Sequence, residues 1–170
     1  MLKYFQEGEL DPQIVIRKAL DGDYDHLCAL CAELDANHIA ELPDIFRTFP
    51  GKARERSFFF PPPNEVQGIT YVAARDSVLL GFITLATKLS SPIPLLVPRT
   101  ITVIDSLYVT STARRQGIAI ALMEKAVEWS KSKNSNAIEL TVYEFNWSAR
   151  QFYIDEGFED LSQKMILRLK

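Results

Sequence analysis

The sequence predicts one α/β domain, a mixed sheet with helices packed on it, and three observations lead there. Its 170 residues correspond to a single domain at roughly 150 residues apiece. Strand-like and helix-like patterns follow one another in the order β, α, β, β, β, α, β, α, β, with no repeat or low-complexity segment. All nine prolines, from Pro12 to Pro98, precede residue 99, and the rest of the chain holds only two glycines, Gly117 and Gly157. Long uninterrupted elements are therefore expected in the second half, with each of those glycines at a special backbone position.

Ile14 to Arg17 reads as a short strand, and Asp21-Gly22-Asp23 as a turn able to cap a helix. Tyr24, Leu27, Cys28, Cys31, Leu34 and His38 then recur at three- and four-residue spacing, an apolar helical stripe that Pro43 ends. From Pro50 to Gly68 the pattern lapses into a loop containing Phe58 to Pro63, where three prolines forbid helix and three adjacent phenylalanines are not all expected to face water. Tyr71 to Arg75 and Val78 to Lys88 look like two strands of a hairpin turning at Asp76-Ser77. A connection from Ser90 to Pro98 leads to a long β-branched strand, Thr100 to Val109. Ile118, Leu122, Ala126 and Trp129 share one helical face. Ile138 to Tyr143 alternates as a strand, Ser148 to Gln151 offers a capping box for a helix ending at Gly157, and Met165 to Leu169 supplies a last strand.

Composition removes several function classes. With 47% hydrophobic and 24% charged residues the chain is neither disordered nor fibrous. No apolar run reaches the ~18 residues of a membrane span, so no membrane partner is expected. Met1 to Leu10 carries Lys3, Glu7 and Glu9 and lacks the apolar core of a secretory signal, and two cysteines suit a reducing compartment, so the expected location is cytoplasmic. Nineteen basic and 22 acidic residues give a net charge of -3, without a long basic stretch, so nucleic acid is not an expected partner.

The chemistry concentrates where the long strand runs through a short link into Arg114-Arg115-Gln116-Gly117-Ile118-Ala119 and a helix. The first amides of a helix lack intrahelical acceptors and carry partial positive charge, which suits an anion. Gly117 and the small Ala119 let a bulky ligand approach the backbone, and Arg114 and Arg115 add countercharge. By themselves these residues describe a phosphate site and a solvated turn equally well. The Gly-Lys-Ser/Thr ending of a nucleotide P-loop is absent, and so is the Gly-x-Gly-x-x-Gly dinucleotide fingerprint.

This segment resembles the GNAT superfamily of N-acetyltransferases, whose signature Gln/Arg-x-x-Gly-x-Gly/Ala is met by Arg114, Gly117 and Ala119. A second signature, Asn146-x-x-Ala149-x-x-Phe152-Tyr153-x-x-x-Gly157-Phe158, is similar to that family's last helix and the turn after it. With the order of elements, the resemblance covers Ile14 to Leu169. It implies a mostly antiparallel sheet with one splayed parallel pair, here Ile101 to Val109 and Ile138 to Phe145. It also implies acetyl-CoA as co-substrate. Its pyrophosphate would lie on the glycine turn, with contacts from Leu107, Tyr108 and Val109, then from Arg114, Arg115, Gln116, Gly117, Ile118 and Ala119, and from Asn146 on the far side. Whether Arg114 or Arg115 is the main phosphate ligand stays open.

Acetyl transfer needs a neutral amine, whereas an alkylamine with a pKa near ~10.4 is mostly protonated at pH 7. Asp105 is the candidate base, two residues before Leu107 and expected on the strand face of Val109; a packed or salt-bridged carboxylate is the equal alternative. Attack produces an oxyanion that a backbone N–H can stabilise, and the resemblance implies Val109 for that role. It likewise implies Tyr153 as the acid that protonates the departing thiolate, with Tyr108 and Tyr143 as substitutes. The acceptor, an amine on a small molecule or on a peptide or protein, carries no readable motif. Two other readings stand beside this one: a non-catalytic module that binds acetyl-CoA, and a nucleotide-binding protein using the same turn.

Several signals are set aside. Cys28 and Cys31 have C-x-x-C spacing near His26 and His38, but both lie on the apolar stripe, so no metal is expected. His38 reads as a helix-terminal histidine, and Asn146-Trp147-Ser148 as a glycosylation pattern without the secretory context it needs. Phe58 to Pro63 packs under a loop, covers the acceptor site or serves a homodimer interface.

Overall fold

The computed structural model describes residues 10–62, 67–90 and 93–169. The N-terminal reading before Leu10, the last proline of the Phe58–Pro63 run and part of the Ser90–Pro98 connection lie outside them. The described residues fall into two units, one up to Thr141 and one from Val142 onward.

The first unit is a five-stranded sheet, β1 (Ile14–Lys18), β2 (Gly68–Arg75), β3 (Val78–Leu89), β4 (Thr100–Val109) and β5 (Ala137–Leu140), ordered as in sequence. Neighbours are antiparallel up to β4, and β4 and β5 are parallel. Three helices accompany it: α1 (Tyr24–Glu41), α2 (Arg56–Phe59) and α3 (Ile118–Ser132). Strand alternation sorts the core into two layers. Val72, Ala74, Phe82 and Tyr108 form one cluster with Leu27, Leu30 and Cys31 of α1. The neighbouring Ile83 and Leu85 turn to the opposite face, where α3 packs through Ile118, Leu122, Met123, Ala126 and Trp129. No helix among the described residues is long and apolar enough to cross a membrane.

The loop after α1 is held by charges that the apolar pattern does not reveal. Lys52 pairs with Asp25, Arg54 with Asp35 at 2.8 Å, and Arg56 with Asp21. The last loop residues coil into α2, just ahead of the prolines, and drive Phe59 into the core at 1% exposure. Phe58 and Phe60 pack edge-on against it at 5.0 and 6.4 Å. Asp23 precedes α1 without capping it: its carboxylate takes Arg17 at 2.6 and 3.0 Å and the Leu20 amide at 2.7 Å. The Arg17 guanidinium holds that carboxyl below its ordinary range, against the opposing push of burial.

The second unit is built on α4 (Trp147–Asp155). Its cap is Asn146, whose side-chain oxygen accepts the Ala149 amide at 3.3 Å, so Ser148 lies inside the helix instead of starting a capping box. Gly157 ends it at φ 91°, a left-handed position open to glycine. There the Phe158 amide reaches back to the Tyr153 carbonyl and the Gly157 amide to that of Ile154, both at 2.9 Å. Met165 to Leu169, expected as a strand, has none: it forms no ladder in the five-stranded sheet and lies exposed. Alternating apolar residues make a strand only where a partner supplies hydrogen bonds.

Candidate active site

Pairing between β4 and β5 stops at Ile104 with Leu140, while β4 continues to Val109. The parallel pair therefore opens along Asp105 to Val109, and β5 is shorter than the Ile138 to Tyr143 run expected for it. At the same place β4 carries one residue more than β3, because Ile104 faces Leu85 and Ser106 faces Thr84. Asp105 is that extra residue, a β-bulge. The bulge resets the alternation: Ile104 shares a face with Leu85, whereas Ser106 and Tyr108 share one with Thr84 and Phe82. Asp105 sits where the alternation reverses, between Ile104 on one face and Ser106 on the other, and Val109, opposite Gly81, lies on the face of Ile83 and Leu85.

Amides along a strand point alternately to its two sides. The Thr110 amide bonds Leu80 on β3 at 2.9 Å. Those of Val109 and Leu107 therefore turn to the side that β5 has vacated. β3 lies very close here, for a methyl added to Gly81 would sit 2.7 Å from the Tyr108 carbonyl oxygen. Asp105 is exposed, yet partial desolvation raises its pKa, with Lys88 pulling the other way.

After β4 the chain makes a short turn and two left-handed residues, Arg115 at φ 61° and Gly117 at φ 73°. Arg115 holds that conformation at a cost of roughly 1–2 kcal/mol, the kind of strain that gathers at functional sites. Gly117 caps α3 with no side-chain bond, and the first bond inward is Ala121 N to Gly117 O at 3.0 Å. The amides of Ile118, Ala119 and Ile120 precede it and have no intrahelical acceptor. Gln116 is held from the side, accepting from Arg75 at 3.2 Å while Arg75 pairs with Asp11 at 2.8 Å. Arg114 folds back: its Nε donates to the Val109 carbonyl at 3.2 Å and its guanidinium lies 5.8 Å over the Tyr108 ring.

Glu33 of α1 is a participant that sequence reading missed. Its Oε2 accepts the Tyr108 phenol and the Thr110 hydroxyl, each at 3.0 Å. Burial, then the Glu33 carboxylate, raises the Tyr108 pKa, so this phenol's proton is committed and it is a poor substitute acid. A lone glutamate beside a helix stripe carries no sequence signal for such a role.

In the second unit Tyr153 packs edge-on against Phe152 at 5.4 Å and Phe158 at 5.6 Å, and burial pushes its pKa up to about 12. Tyr143, the other substitute acid, stacks on Phe145 at 5.9 Å. Cys28 and Cys31 are free thiols, and burial pushes Cys31 up to about 12, which suits a core residue and opposes metal ligation. Among the described residues no three His, Cys, Asp or Glu come together.

Residues 23–158 match the model of the Acetyltransferase (GNAT) family. The chain belongs to that family. An uncharacterized N-acetyltransferase of Archaeoglobus fulgidus is 33% identical over 85 residues, 50% of this chain and 56% of that protein. The chain thus spans about half the length of the curated relative it matches. A solved mutant of the BH1408 protein from Bacillus halodurans superposes with a TM-score of 0.82 at 26% identity, covering 91% of this chain and 99% of that one. AAC(6')-Iy, solved with the bisubstrate analogue CoA-S-monomethyl-acetylneamine, shares the fold at TM-score 0.63 and 16% identity over 92% of this chain and 98% of that one. The GNAT fold is thus present as expected, a mostly antiparallel sheet whose one parallel pair opens beside the turn.

Proposed function

We propose that the chain is an acetyl-CoA-dependent N-acetyltransferase, a single domain over residues 1–170, acting on a primary amine of a small molecule or peptide by direct attack in a ternary complex. The observation that carries this reading is the run of β4 past the end of β5 into a left-handed turn that leaves the first amides of α3 open. That cradle suits the pyrophosphate of coenzyme A, because the donors are main-chain groups without an intrahelical acceptor. The family match runs through both units, which supports reading them as one domain. The two free thiols support a cytoplasmic location.

Acetyl-CoA would bring an activated acyl thioester. Ile118 and Ala119 would donate main-chain bonds to its phosphates, with countercharge from Arg114, whose Nε is anchored on the Val109 carbonyl, or from Arg115. Leu107 and Val109 offer amides along the opened strand, and Val109 is the donor to the acyl oxygen. Asp105 takes the proton of the attacking amine, and its raised pKa narrows the gap between a carboxylate and an alkylammonium. Tyr153 keeps its proton at any working pH. Against a thiol near ~8.5, full transfer from so weak an acid is uphill by about 3.5 pKa units, or ~5 kcal/mol, so the phenol acts as a hydrogen-bond donor whose proton moves as charge builds on sulphur. Asn146 spends its oxygen on the α4 cap and would meet the cofactor through its amide nitrogen.

Release of free thiol, followed with acetyl-CoA and a panel of amines, tests this reading, and acceptor-dependent release is expected. None across the panel would leave a non-catalytic acetyl-CoA binder. In the same assay kcat/KM should rise with pH along a limb above the ordinary ~3.9 of an aspartate. Asp105→Asn should remove that limb and slow turnover by about a hundredfold or more.

A further inference from the structure

Among the described residues, the tail of β4 beyond the end of β5 has a ladder on one side only. A strand end in that condition frays, whereas hydrogen-bond donors that act on a reacting group must stay fixed. The tail is instead held by side chains around Val109. Tyr108 and Thr110, its two neighbours in sequence, both donate to Glu33 Oε2 at 3.0 Å. The Val109 carbonyl takes Arg114 Nε at 3.2 Å, and the next amide is bound to Leu80. Arg114 in turn lies over the Tyr108 ring that Glu33 anchors. Glu33 itself is exposed, so ordering its long side chain costs entropy that two charge-assisted bonds offset. The bonds join α1 to β4 at the end of the strand where the glycine turn begins.

Resting on the acetyltransferase reading above, we propose that Glu33 is a positioning residue: by clamping Tyr108 and Thr110 it replaces the missing strand partner and holds the Leu107 and Val109 amides ready for the acyl-CoA arm. The carboxylate touches neither the amine nor the thioester. It acts through the backbone between its two donors.

The test measures CoA affinity by calorimetry in the intact chain, alongside melting and tyrosinate absorbance. Glu33→Ala should weaken CoA about tenfold at a temperature where the variant is folded. Glu33→Gln keeps an oxygen that accepts both hydroxyls, and should restore affinity to within about threefold of the parent. A purely stabilising Glu33 would lower the melting temperature and leave CoA affinity in place. Tyr108→Phe with Thr110→Val removes both donors while keeping shape, and should reproduce the loss even if Glu33→Ala does not fold. In both Glu33 variants one tyrosine should titrate lower than in the parent, and that tyrosine should be the one absent from Tyr108→Phe. If the parent takes up CoA and either Glu33→Ala or the double variant binds it equally well, the clamp is wrong and the acetyltransferase reading stands. If the parent takes up no CoA, both fall.

Discussion

The helices α3 and α4 begin in opposite ways. α4 starts with Asn146, whose oxygen satisfies the Ala149 amide at 3.3 Å, and ends in a glycine turn whose amides are returned to Tyr153 and Ile154. α3 starts with Gly117, left-handed and without a capping side chain, behind an Arg115 that is itself strained. A capping side chain is worth about 1 kcal/mol over alanine and a few tenths over glycine, so the glycine start of α3 gives up a little stability at that point. The difference teaches that the short helix is closed at its start by a side chain while the long one is left uncapped, the arrangement that the proposed CoA site requires. α3 tolerates the open end because its buried stripe from Ile118 to Trp129 holds it against the sheet.

The largest expected effect breaks the open end directly. Gly117→Val forces a β-branched residue into a left-handed backbone and places a side chain over the amides. CoA affinity should fall about a hundredfold, read by calorimetry, while the fold persists in circular dichroism. Tyr153→Phe addresses α4 instead, and should lower kcat roughly thirtyfold with CoA affinity changed less than about twofold. A matching loss of CoA affinity would mean that Tyr153 serves binding and not the departing sulphur. Asn146→Ala should cost about 1 kcal/mol, seen as a lower melting temperature, since α4 depends on its cap. Smallest of all is Gly117→Asn. Asparagine tolerates the left-handed backbone and can cap α3, so stability should rise by a few tenths of a kcal/mol at most, while CoA binding weakens as the side chain competes for the same amides.

Much of this contrast is legible in the residues. β4 runs from Thr100 to Val109 as its β-branched pattern predicts, and both glycines of the second half are left-handed, Gly117 at the head of α3 and Gly157 at the end of α4. What local pattern cannot carry is anything decided by a distant partner. The bulge at Asp105 depends on register with Thr84 and Leu85, and it reverses the alternation of β4 at that carboxylate. The missing strand at Met165 to Leu169 has the right alternation and lacks a ladder. Lys52, Arg54 and Arg56 carry no local signal of Asp25, Asp35 and Asp21, which the fold brings opposite them. Glu33 meets Tyr108 only when α1 crosses the end of β4.

One calorimetric comparison, CoA against pantetheine, bears most directly on the open end of α3. Pantetheine keeps the thiol arm and lacks the phosphates. Saturable uptake of CoA with little or none of pantetheine at the same concentration is the expected result. Equal binding of the two, or no heat with either at millimolar ligand, would contradict a phosphate grip by the Ile118 and Ala119 amides.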